Sequence, residues 1–109
     1  MNEVIRSSFR SGSAQTLAAH FDRQLELLID TEAVDFPEVR AKHAELILNT
    51  FFKKHPPQGF QYVYQGGSER LRYITGLYQT GGKRFSVYLL MRQDARHRFV
   101  INTLHLRRS

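Results

Sequence analysis

A chain of 109 residues with a formal net charge of +6 is long enough for one domain and too short for two of ordinary size. Hydrophobic residues make up 41% and aromatics 12%, enough to fill a core and too many for a disordered chain. There is no cysteine, which excludes disulfides, thiolate nucleophiles and thiolate metal sites.

No apolar run approaches the roughly 18 residues of a membrane span. Met1 leads into polar, charged sequence without a signal-peptide pattern. Arginine outnumbers lysine three to one, but the cations are scattered from Arg6 to Arg108 with no block of five. That reads as a solvated basic surface rather than a polyanion-binding stripe.

Val4, Ile5 and Phe9 recur at helical spacing, which predicts a first helix over residues 2–11, stopped by Gly12. The Ser13 hydroxyl can cap a second helix by accepting from the amides of Gln15 or Thr16. Leu17, Ala18 and Phe21 form its apolar stripe. Alternation at Leu25, Leu27 and Ile29 predicts a short strand over 24–30, and residues 31–36 turn back on it as a second short strand. Pro37 and Glu38 suit the first turn of a third helix. In that helix Val39, His43, Leu46, Ile47, Thr50 and Phe51 share one face, widened by Ala44, Leu48 and Phe52. Lys53, Lys54 and His55 complement its C-terminus, and Pro56-Pro57 ends it.

Four strands follow, over Gly59–Gln65, Leu71–Thr80, Arg84–Arg92 and Arg98–Leu106. Breaks fall at Gly66-Gly67-Ser68, Gly81-Gly82 and Asp94–His97. Short connections predict an antiparallel meander. The strands are apolar on both faces, and no segment remains to cover the outer one. A homodimer through the sheet face is therefore expected.

The order of these elements resembles the cone-shaped nuclear transport factor 2-like superfamily. The segment Ile47-Leu48-Asn49-Thr50-Phe51-Phe52-Lys53-Lys54-His55-Pro56-Pro57, then Phe60 and Gln65-Gly66-Gly67-Ser68, resembles the domain of unknown function 4783 family. Val87-Tyr88-Leu89-Leu90 and Leu104-His105-Leu106 carry the same likeness. The resemblance implies one α+β domain spanning 1–109. Three N-terminal helices would pack in a curved antiparallel sheet of four long strands plus a short hairpin. It also implies a bacterial envelope location, in the periplasm or at the cell envelope, with an export signal removed ahead of Met1. It carries no assigned activity.

The five histidines lack HExxH or any paired ligand spacing, so no metal is expected. There is no G-x-S-x-G elbow and no Walker loop, and Gly66-Gly67 and Gly81-Gly82 read as turn glycines. No cofactor is expected. Enzymes of the resembled superfamily place an Asp base, or an Asp–His pair, in an apolar cavity. Here no Asp or Glu falls inside residues 71–80, 84–92 or 98–106, and Asp22, Asp30 and Asp35 lie at element ends. The favoured reading is thus a non-enzymatic protein that binds a small apolar ligand or a protein partner. His43, Tyr62, Tyr64, Thr75 and Asn102 are its candidate binding residues. An isomerase- or dehydratase-type cone enzyme is the alternative, with His43 beside a buried Asp. A polyanion-binding module ranks below both, and nucleic acid is disfavoured as a partner.

Overall fold

The computed structural model describes all 109 residues. Helix α1 spans Asn2–Ser11 and ends on Gly12, whose left-handed φ of 71° suits glycine. Ser13 caps α2 (Ala14–Ala18), its hydroxyl accepting from the Thr16 amide at 3.2 Å. Phe21 does not extend that helix. It opens β1 (Phe21–Ile29), which a single 3-10 turn at Asp30–Glu32 joins to β2 (Val34–Arg40).

Helix α3 begins at Ala41 and runs to Lys54. This corrects the expectation that Pro37 sits in its first turn: Pro37 lies in β2. There it occupies the edge of the sheet, where a residue without an N–H removes no ladder bond. The buried face of α3 also differs from the expected one. Ala44, Leu48, Phe51 and Phe52 are buried, whereas Leu46 is 57% exposed and His43 and Thr50 are exposed. Two apolar stripes lie side by side on this helix. The one facing the sheet is rotated by one residue from the one that spacing favoured.

The remaining strands are β3 (Gly59–Gly67), β4 (Leu71–Thr80), β5 (Lys83–Gln93) and β6 (Phe99–Arg108). Gly81 and Gly82, with φ of 51° and 78°, make the β4–β5 turn, a pair of positive φ angles that a two-residue hairpin requires. Gly66 and Gly67 belong to β3, and the break follows at residues 68–70.

All six strands form one curved sheet in the order β2-β1-β6-β5-β4-β3. The expected short hairpin is therefore two full members of the sheet. The sheet is also mixed rather than wholly antiparallel, because β1 pairs parallel to β6. The crossover through β2, α3 and the β3–β5 meander makes that pairing possible. The hydrophobic core lies between the helices and the concave face. Phe9 stacks on Phe60 with ring centroids 4.9 Å apart and meets Phe52 and Tyr78 edge-on at 5.8 and 5.9 Å. Phe51 meets Phe85 at 5.1 Å. Aromatic pairs of this kind add about 0.5–1.5 kcal/mol each beyond their buried area. No helix is long and apolar enough to cross a membrane.

Candidate functional site

The aromatic cluster fills the cone. Apart from Gly76, Ser8, Thr80 and Thr103, every buried residue is hydrophobic, and no buried side-chain polar atom lacks a hydrogen bond. The five principal clefts, of about 350–540 Å³, all open to solvent.

The five candidate binding residues do not converge. His43 is exposed on α3, with its ring centroid 5.8 Å from that of Phe36. Tyr62 faces the helices, donates its hydroxyl to the Asn2 carbonyl and lies 5.2 Å beneath the Arg6 guanidinium. Burial pushes its phenol pKa up. Tyr64 and Thr75 share the outer face, where they pair across β3 and β4. Tyr64 is 55% exposed and its ring lies 5.6 Å from that of Tyr73, whose pKa the neighbouring phenol raises. Asn102 lines a separate polar cleft of about 350 Å³. That cleft lies where β1 and β6 lose register between Phe21 and Glu26, and the Asp22–Arg92 ion pair at 3.0 Å lies along it.

The outer face is a continuous grid read from strand register. Tyr73, Leu90, Thr103 and Glu26 form one row across β4, β5, β6 and β1. Thr75, Tyr88, His105 and Leu28 form the next, and Leu77, Ser86 and Arg107 the third. A shallow depression of about 390 Å³ runs over Val63, Thr75, Leu77, Tyr88 and His105. The His105 ring lies 5.6 Å from Tyr88, and its Nε2 contacts the Glu26 carboxylate.

Local sequence reading missed two His–Glu pairs. Glu26 and His105 are 79 residues apart and meet only through the parallel β1–β6 pairing. Glu32, on the 3-10 turn, receives Lys54 Nζ at 2.8 Å and lies 3.4 Å from His55 Nε2. The hydrogen bond from Lys54 lowers the Glu32 pKa most; burial opposes it, and the contact with His55 adds a smaller lowering. The His55 ring is wedged between Phe51 and Phe85 at 4.9 and 5.1 Å. These contacts tie the end of α3 to the β1–β2 turn. No three His, Asp or Glu side chains converge as metal ligands would.

A cone of three helices packed in a curved sheet defines the nuclear transport factor 2-like and cystatin-like fold class. A nuclear transport factor 2-like protein of unknown function from Silicibacter pomeroyi shares it at a TM-score of 0.72 and 10% identity, covering 99% of this chain and 89% of that one. A cystatin-like domain of unknown function from Nostoc punctiforme does so at 0.74 and 11%, covering 99% and 72%. The chain belongs to the domain of unknown function family DUF4783, which matches residues 2–107. The crystal structure of a DUF4783 family protein from Bacteroides uniformis superposes at a TM-score of 0.90 with 20% identity, covering 98% of this chain and 95% of that one. No curated protein matches the sequence.

Proposed function

We propose that this protein is a non-enzymatic binding module of the bacterial envelope that works as a homodimer through the outer face of its sheet. The carrying observation is the contrast between the two faces. The concave face is filled by its own helices, while the outer face presents Val63, Tyr64, Tyr73, Leu77, Tyr88 and Leu90 with no element of the chain over them. Six strands at about 4.8 Å spacing and about eight residues of about 3.4 Å each make a face of roughly 800 Å². A standard stable interface takes about that area from each partner. A small apolar ligand has less support, because the interior is occupied and the clefts are open.

The acid–base alternative requires a buried carboxylate within hydrogen-bond reach of His43. The buried residues include no Asp or Glu, and His43 faces solvent. The envelope location rests on the family resemblance, and fractionation of cells expressing the full gene product tests it.

The dimer is tested by light scattering and sedimentation. Wild-type protein is expected at twice the chain mass. Tyr88→Lys and Leu77→Lys, both on the outer face, should give a folded monomer. A wild-type monomer at high concentration overturns the dimer.

A further inference from the structure

The two edges of the sheet are built differently. Edge strand β2 carries Asp35, Pro37, Glu38 and Arg40 within seven residues. Charges and a proline on an edge are the usual means of refusing another strand. Edge strand β3, Gly-Phe-Gln-Tyr-Val-Tyr-Gln-Gly-Gly over Gly59–Gly67, has no charge and no proline. Val63 is 62% exposed and Tyr64 55%.

The edge is also held extended. Phe60 is buried under Phe9, the Tyr62 hydroxyl bonds the Asn2 carbonyl, and Asn2 Nδ2 donates to Gln65 Oε1 at 2.6 Å. An added strand would therefore meet a preformed template rather than order a loose one. Its one irregularity is the bulge between Tyr62 and Tyr64. This bulge confines regular pairing to short runs on either side and so limits open-ended sheet growth.

Charge beside the edge sets the partner's chemistry. A cleft of about 430 Å³ at the N-terminal half of β3 is lined by Arg10 together with Gln58, Gly59, Phe60 and Gln61. Arg10 has no ion-pair partner, whereas Arg6 on the same helix is paired with Glu3 at 3.1 Å. We infer that the Gly59–Tyr62 edge is a strand-addition site for an extended segment of a partner polypeptide that is uncharged along its paired residues. That segment carries a carboxylate at the end that reaches Arg10. Antiparallel pairs are the commoner and more stable kind. In that orientation the carboxylate lies at the C-terminal end of the added segment.

The test is an amide-resolved NMR titration of the full chain with acetyl-Thr-Val-Thr-Val-Thr-Glu-amide. Shifts are expected at Gly59–Tyr62 and Arg10. They should be weaker for the peptide with glutamate moved to its N-terminal end, and lost when alternate peptide nitrogens are methylated. Arg10→Glu, an exposed change, should weaken binding by about fivefold, the upper range of an exposed ion pair, and should favour the peptide ending in lysine. Absence of shifts at millimolar peptide overturns the inference. So do shifts confined to Tyr88, His105 and Leu90, or binding that survives N-methylation. Equal binding of glutamate- and lysine-ended peptides overturns the role of Arg10. The dimer test reads mass and this one reads edge amides, so either can fail alone.

Discussion

The Tyr78 hydroxyl donates to the main-chain carbonyl of His55 at 2.5 Å, joining β4 to the residue that ends α3. Tyr78 is fully buried, so its hydroxyl cannot turn to water instead. Tyr78→Phe leaves that carbonyl without its donor and should cost about 1–3 kcal/mol. Each kcal/mol should lower Tm by about 4–8 °C in a domain of this size, which differential scanning calorimetry reads. Burial also pushes the Tyr78 phenol far above the usual tyrosine range. Ultraviolet titration of the folded wild type should therefore leave one tyrosine un-ionised until alkaline unfolding.

Leu46 and Leu48 are two positions apart on α3 and should respond oppositely. Leu48 is fully buried and Leu46 is 57% exposed. Leu48→Ala should destabilise by about 2–5 kcal/mol, the cost of a core cavity. Leu46→Ala should stay within about 0.5 kcal/mol. Urea melts of the two variants measure the difference, and a larger loss for Leu46→Ala would mean that the helix buries its other stripe.

The Glu32 cluster gives a pH dependence of defined sign. Contact with Lys54 holds the Glu32 pKa below its ordinary 4.5 in the folded chain. Its contribution is therefore complete above that value and is lost as pH falls through 4.5 toward the lower folded pKa. Glu32→Gln should be less stable than wild type at neutral pH. The gap should narrow in acid, as Tm measured across pH would show. A gap that does not vary with pH would contradict the ion pair.

Gly67 has a φ of 143°, and a Cβ there would press on the Leu71 carbonyl. Gly67→Ala should therefore cost more than about 1 kcal/mol. Gly81 has nothing within 4 Å of such a Cβ, so Gly81→Ala meets only backbone strain. Denaturant midpoints of the pair separate collision from conformation.

The sequence by itself determined the local pieces. Alternation placed β4 to the residue and β5 and β6 within two residues at each end. Ser13 capped α2, Gly81-Gly82 turned the hairpin, and Pro56-Pro57 closed α3. These signals act over a few residues, because hydrogen bonds to near neighbours and allowed φ values decide them. Tertiary structure decided which of two apolar stripes on α3 is buried, since that depends on the side from which the sheet approaches. It put Pro37 in a strand, because an edge position leaves its missing N–H without consequence. It kept Tyr64 and Thr75 together on the outer face but put His43, Tyr62 and Asn102 elsewhere, because the β3 bulge turns Tyr62 and Tyr64 to opposite faces and His43 lies on the exposed side of α3. It also brought Glu26 to His105 through a parallel pairing of the first and last strands, a contact between residues 79 apart that no local pattern encodes.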